Sequence, residues 1–306
     1  MGLCPTPCKL LKKFDLNFFE LEALIYLEWC GADNPMVLSL DLLIIFNRGD
    51  FMITFYFTAT GNCLYVAKRI NQGELISIPQ ALKKENQTYK SESIGFVFPC
   101  YGFGVPKIVQ EFISKNTFIS DYFFTVMTYG NIASGGLGHM EKICKQSNIT
   151  FNYTAEILMV DNYLPVFKIE DQLAKEASKK IEENLEMIVQ DISQKSNKKV
   201  EKCGTHKVAT AVIKSAESTF LKSYIDKKFY VNESCNKCGT CAKVCPRKNI
   251  SVTAEKVTYL HNCEVCMACI NLCPKNAIHL KNQRSESRFK NQNVTLKELI
   301  DANNQL

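Results

Sequence analysis

Eight of the 15 cysteines lie between residues 235 and 273, in two runs of identical spacing. The first is Cys235-x2-Cys238-x2-Cys241-x3-Cys245 followed by Pro246, and the second is Cys263-x2-Cys266-x2-Cys269-x3-Cys273 followed by Pro274, 28 residues later. Three thiolates at two-residue intervals wrap a tight loop around one body and reach three corners of an iron–sulfur cubane. The fourth, beyond the loop, points elsewhere. Zinc is the competing reading, because C-x2-C pairs also build tetrahedral thiolate sites. Two copies of a loop with three crowded ligands suit a single ion poorly, so the spacing favours iron and sulfide over zinc.

These runs resemble those of bacterial 2[4Fe-4S] ferredoxins. That resemblance implies an exchange of the fourth ligand between the runs. One cluster would be held by Cys235, Cys238, Cys241 and Cys273, and the other by Cys263, Cys266, Cys269 and Cys245. The two cluster segments would occupy about 226–255 and 256–283, with Pro246 and Pro274 turning the chain away from the ligands.

The rest of the chain is long enough for a second domain: 306 residues, of which 46% are apolar and 22% charged. Lys and Arg number 37 against 31 Asp and Glu, a formal charge of +6. Two oxidised cubanes with their eight thiolates would remove about 4 of those charges, and a flavin phosphate about 2 more. That leaves little to attract nucleic acid or an anionic membrane. The N-terminal apolar runs are broken by Glu20, Glu22, Glu28 and Asp41. No stretch reaches the roughly 18 apolar residues of a membrane span, and no leader pattern is visible. The expectation is a cytoplasmic protein in a reducing compartment, where clustered cysteines are metal ligands before they are disulfides.

From Met52, MITFYF reads as a buried strand running into Thr58-Ala59-Thr60-Gly61-Asn62-Cys63. Strands at 75–78, 94–98, 122–127 and 153–160 then alternate with helices at 62–72, 106–115 and 137–146. This pattern predicts a parallel sheet covered on both faces. A loop between such a strand and a helix N-terminus is a natural phosphate site. Its hydroxyls, its free N–H groups and the helix dipole all favour an anion. No G-x-G-x-x-G follows, so a dinucleotide fingerprint fits worse, and without a Gly-Lys-Ser/Thr the nucleotide P-loop fails.

The segment resembles the flavodoxin fold, whose FMN-phosphate loop has the form T/S-x-T-G-x-T/S. Thr58, Thr60 and Gly61 match it, while Cys63 stands where a hydroxyl is expected. Two further loops fall where that fold places the flavin ring: Pro99-Cys100-Tyr101-Gly102-Phe103-Gly104, and Tyr129-Gly130-Asn131 with Gly135-Gly136. Glycine lets backbone approach a flat heterocycle, and Tyr101, Phe103 or Tyr129 could stack on it. The Gly102 carbonyl is the candidate for a backbone group that responds to the flavin.

FYFTATGN, GFVFPCYGFGVP, TYGN with its following GG, and DNYLP, ahead of the cysteine runs, resemble a family of flavodoxin/ferredoxin fusion proteins of anaerobic bacteria and archaea. The implied layout is a flavodoxin-like doubly wound α/β domain at 52–165, a helical connector at 166–228, a small α+β ferredoxin domain at 229–283 and a polar tail with one short helix at 284–306. The resemblance also implies a start near Met52, so residues 1–51 are expected to be an extension or a misassigned start that packs poorly. Electron transfer between two [4Fe-4S] clusters and an FMN, with redox proteins as partners, is the function implied. The alternatives are an FMN-dependent reductase of a small substrate fed by the clusters, and a ferredoxin whose flavin-free sheet domain serves for docking. No acid–base set stands out: His139, His206, His261 and His279 read as capping, surface or module residues. Cys144 and Cys203 read as packing residues or free thiols.

Overall fold

The computed structural model describes residues 52–84, 86–133, 135–200 and 225–306. The expectations for residues 1–51, for Cys203 and His206, and for a helix over most of 207–226 lie outside the described residues.

In chain order the first part comprises β1 (Met52–Tyr56), α1 (Asn62–Ile70), β2 (Glu74–Ser77), α2 (Ile78–Ala81), β3 (Thr88–Lys90), β4 (Ser93–Pro99), α3 (Lys107–Lys115), β5 (Thr117–Ile119), β6 (Tyr122–Tyr129), α4 (Gly136–Gln146) and β7 (Tyr153–Leu158). Five strands form a parallel sheet in the order β2-β1-β4-β6-β7, and β3 and β5 pair separately. Numbered within the sheet, that order is 2-1-3-4-5, the flavodoxin-like winding. The fold is thus the α/β arrangement expected from the alternation.

Central strands buried on both faces carry no polar alternation, and β1 and most of β4 and β6 are buried throughout. Phe55 packs against Phe96 and Phe112 at ring separations of 5.6 and 4.9 Å. Gly95 makes room for the Phe124 ring, which would lie 2.0 Å from a Cβ at that position.

Two α-helices follow β7, α5 (Ile169–Ala174) and α6 (Ile181–Ser193), with a 3-10 turn at Ala177–Lys179 between them. Here the expected connector is corrected. Leu185, Ile188 and Ile192 of α6 are buried in the same core as the sheet. The chain after it continues along the sheet: Thr154 donates to the Lys198 carbonyl at 3.0 Å and the Tyr122 hydroxyl to the Ser196 carbonyl at 2.9 Å. An amphipathic helix next to an uncovered sheet face buries its stripe there rather than bridging two bodies. The sheet domain therefore extends past residue 165 to about residue 200.

The cysteine-rich module contains β8 (Phe229–Val231), α7 (Thr240–Lys243), β9 (Ile250–Val252), β10 (Val257–Tyr259), α8 (Ala268–Asn271) and β11 (Ile278–Leu280). β9 pairs antiparallel with β10, and β8 with β11. Val244, Cys266, Ala268 and Leu272 share the core of the sheet domain. Beside this contact, the buried Glu264 carboxylate accepts from Arg247 and from the Ile108 amide at the start of α3, while Arg247 also reaches Glu111.

The tail holds its expected short helix, α9 (Leu296–Asn303), opened by a capping box between Thr295 and Glu298, but it is docked rather than free: Lys68 of α1 pairs with Glu298 at 2.7 Å. Val294, Leu299 and Ala302 are buried in the sheet-domain core. Four or five apolar residues among polar ones suffice to anchor a segment, but they make too thin a stripe to read in advance.

Gly95→Val should overpack the Phe124 side of the sheet and cost about 1–3 kcal/mol or more, seen as a lower Tm. Lys68 and the cap lower the Glu298 carboxyl from 4.5 to about 2. A depressed acid stabilises above its unfolded value and loses that contribution as pH falls through its folded value. Glu298→Gln should therefore weaken the docking of α9 near neutral pH by no more than about 1 kcal/mol. The difference from wild type should fade between pH 4.5 and 2 in an acid titration followed by α9 amide exchange.

Candidate functional site

A cavity of about 430 Å³ opens at the carboxyl ends of β1, β4, β6 and β7. This is where open parallel sheets place ligands, at the point where strand order reverses. All three loops singled out from the sequence contribute to it: Thr58, Thr60, Asn62 and Cys63; Pro99 to Phe103; and Tyr129 to Asn131.

The T-x-T-G loop is built from both sides. Gly61 lies at φ 111°, a left-handed conformation that a side chain would strain, and its amide donates to Thr58 Oγ1 at 3.2 Å. Asn162 donates to Thr60 Oγ1, and Asn62 donates to the Val160 carbonyl at 3.0 Å. Each threonine oxygen is thus an acceptor within the loop and keeps its own O–H to donate to an anion. From the tail, the Asn291 amide donates to the Thr60 carbonyl at 2.8 Å and Asn303 Nδ2 to the Thr58 carbonyl at 3.1 Å.

Four expectations change here. Gly61 does not line the cavity; the close approach it permits is by Asn291 Cβ, 2.9 Å from a Cβ built on it. Gly135 and Gly136 do not line it either: a Cβ on Gly136 would meet Met127 Sδ at 2.3 Å, and Gly135 has nothing within 4 Å of the corresponding position. Cys63 is no substitute for a phosphate-binding hydroxyl, because its thiol contacts Thr128 Oγ1 at 3.1 Å and is buried.

The Tyr101–Gly104 loop is a two-residue hairpin turn, with Gly102 and Phe103 both at positive φ. It projects Tyr101 toward the module. Burial pushes the Tyr101 phenol well up, and the neighbouring Cys266 thiol adds to this. His139, read as a capping or surface residue, accepts at Nδ1 from the Val105 amide at 3.3 Å.

Two parts of the wall were missed. Val160 to Tyr163 follow β7, so the same edge rule would have placed DNYLP here. Val265, Cys266 and Met267 come from the module, and no sequence signal announces its docking.

The two cysteine runs build the same local structure. Left-handed residues recur at a 28-residue offset: Lys237 and Val265 at φ 57° and 61°, Gly239 and Met267 at 77° and 58°, Lys248 and Asn276 at 51° and 48°. A β-branched residue such as Val265 enters that region only when its surroundings force it. Asn249 N–H points at Cys245 Sγ and Ala277 N–H at Cys273 Sγ, both at 3.3 Å.

The thiols that act on Cys241 are Cys273, Cys235 and Cys238; those on Cys269 are Cys263, Cys266, Cys245 and, least of these, Cys241. Burial pushes Cys266 and Cys269 well up and Cys241 to about 11, so uncompensated thiolates there would be costly. Exposed Cys238 moves the other way because Thr240 hydrogen-bonds it. Among the described residues no three His, Cys, Asp or Glu side chains converge tightly enough for one metal ion.

Residues 229–251 match the Fer4 family, described as a 4Fe-4S binding domain. The chain is similar, over 36% of its length and 91% of the other, to a protein from Bacteroides uniformis described as a flavoprotein, at 14% identity with a TM-score of 0.28. It is also similar to a Trp repressor binding protein from Bacillus subtilis, at 16% identity over 35% and 83%, with a TM-score of 0.25. No curated protein matches the chain. No helix among the described residues is long and apolar enough to cross a membrane. Residues 229–251 thus form an iron–sulfur-binding segment, and its chemistry is electron transfer.

Burial raises Cys63 to about 12, with Thr128 opposing only in part. It should stay protonated and resist iodoacetamide at about pH 8 until the protein unfolds. In cluster-free protein exposed Cys238 should be alkylated ahead of buried Cys63 and Cys144, as read by peptide mass spectrometry.

Proposed function

We propose that the protein carries two [4Fe-4S] clusters and one FMN and passes electrons between them. Three wall residues, Val265, Cys266 and Met267, carry this reading, because they place a cysteine of the second run in the cavity that the T-x-T-G loop also lines. A centre held by Cys266 would share a wall with the flavin, and no swing of the module would be needed.

The residues present suit both groups. The cavity volume lies within the usual range of about 300–1,000 Å³ for cofactor sites. Thr58 and Thr60 retain hydroxyl donors for a phosphate, and Gly61 opens the N-terminus of α1, whose dipole favours the same charge. The ring would lie among the Pro99–Phe103 and Tyr129–Asn131 loops. Cys235, Cys238, Cys241 and Cys273 would hold the outer cluster, and Cys263, Cys266, Cys269 and Cys245 the inner one. Support comes from the match to the first run, the repetition of its backbone geometry in the second, and the grouping of thiols.

When bound, the clusters supply single-electron carriers and the flavin a carrier of one or two electrons. The protein's part is to position and insulate. Amide hydrogens directed at Cys245, Cys263 and Cys273 stabilise negative charge on sulfur. Tyr101, Val265 and Met267 keep water from the shared wall. Exposed Cys238 marks where a redox protein would meet the outer cluster. Cys63 favours a flavin-free domain, but its thiol is engaged with Thr128 Oγ1, and the missing hydroxyl does not alter the loop's backbone and threonine donors.

Anaerobic reconstitution tests this directly. The expected product holds about eight iron, about eight sulfide and one FMN per chain. Cys266→Ser should lower the cluster content to about half by EPR spin counting and slow the reduction of the remaining flavin by an external ferredoxin. A colourless, zinc-bearing product would overturn the proposal, as would full cluster content without FMN.

A further inference from the structure

A second cavity, of about 560 Å³, adjoins the first and shares Gly130, Asn131, Val166 and Phe167 with it. Its charged lining is one-sided: Lys168, Lys175, Lys179 and Arg284 against Asp171. These cations come from three separated segments, the approach to α5, the turns before α6 and the chain just after β11. They are not a solvated face of one helix.

Lys179 is the most informative of them. It is only 7% exposed, yet Nζ reaches only neutral acceptors, the Gly130 carbonyl at 3.2 Å and Gln172 Oε1 at 3.4 Å. A buried ammonium ordinarily has a carboxylate partner. Asp161 and Glu176 both act on it from a distance, but the Asp161 carboxylate accepts from the Tyr163 amide and neither acid makes an ion pair with Lys179 within 4 Å. Lys175 adds repulsion. The side chains of Lys168, Lys175 and Arg284 make no hydrogen bond and no ion pair among the described residues. A cluster of like charges around a buried, poorly satisfied ammonium is stabilised by an anion in its midst.

We infer that this second cavity anchors the phosphate or carboxylate group of a small organic molecule whose other end reaches the flavin across the shared Gly130–Asn131 wall. The inference rests on the flavin reading for what lies beyond the wall, but the anion site stands on its own lining. Asp171 at the rim would disfavour neutral or cationic ligands less than the four cations favour anions. The fused loops at 129–131 and 166–167 would transmit occupancy of one cavity to the other.

The test uses the reconstituted holoprotein, titrated anaerobically with inorganic pyrophosphate and, separately, with citrate. Calorimetry reads binding and the flavin absorption bands read proximity. We expect saturable one-to-one binding of at least one probe, with a shift of the bands. The Lys175→Ser/Arg284→Ser variant, which alters two exposed side chains, should weaken binding by at least about tenfold, the scale of one lost charged hydrogen bond. The inference is overturned if neither probe binds, if the variant binds equally well, or if binding leaves the bands unmoved. Protein that binds a probe by calorimetry but retains no FMN would instead overturn the flavin reading and leave the anion site standing. Full FMN with no anion binding would do the reverse.

Discussion

Glu264 holds the arrangement together. Its carboxylate is buried where the cysteine module meets α3, and it accepts from Arg247 on the module side and the Ile108 amide on the sheet side. Leaving a buried charge without its partner costs about 3–5 kcal/mol, so the two bodies cannot part cheaply at this point. Everything proposed for the cavity depends on that docking, since it brings Cys266 to the rim of the sheet. Apolar contacts add to it, with Val244, Ala268 and Leu272 in the same core as Phe96 and Val109.

Much of this molecule is legible in one dimension because its strongest features are local. Buried strands such as IGFVF and YFFTVM announce themselves by composition, and the cysteine spacing is a statement about loop geometry. What escaped depends on residues distant in sequence. The stripe Leu185, Ile188 and Ile192 was visible as a helix, but its destination on the sheet was not. Cys63 matched a motif position, yet its side chain turned toward Thr128, which belongs to β6. Gly61 was read as room for a ligand and instead makes room for Asn291. A motif specifies residue types; the neighbour that exploits them is chosen by tertiary packing.

The two cysteine loops show how a repeated covalent pattern imposes a repeated backbone. At the middle of the three left-handed positions the first loop has Gly239, while Met267 adopts the same region in the second. That substitution is tolerated because the loop is constrained on every side by the core. The cost is of the order of 1–3 kcal/mol for a strained non-glycine residue. The runs are therefore equal in spacing but not in surroundings: one is open to solvent at Cys238, while Cys266 and Cys269 are enclosed. Burial and local charge are the levers that set a cluster's potential, so two chemically identical ligand sets need not be energetically identical.

The tail's grip on the T-x-T-G loop bears on how the molecule assembles. Asn303 supports the Thr58 carbonyl from 245 positions downstream. The cysteine module lies between the loop and its support in sequence, so the ribosome must deliver it before the loop's bonds to the tail can form. Folding then has a built-in order: a nascent chain still lacking α9 would leave the T-x-T-G loop half-supported until synthesis had passed both cysteine runs.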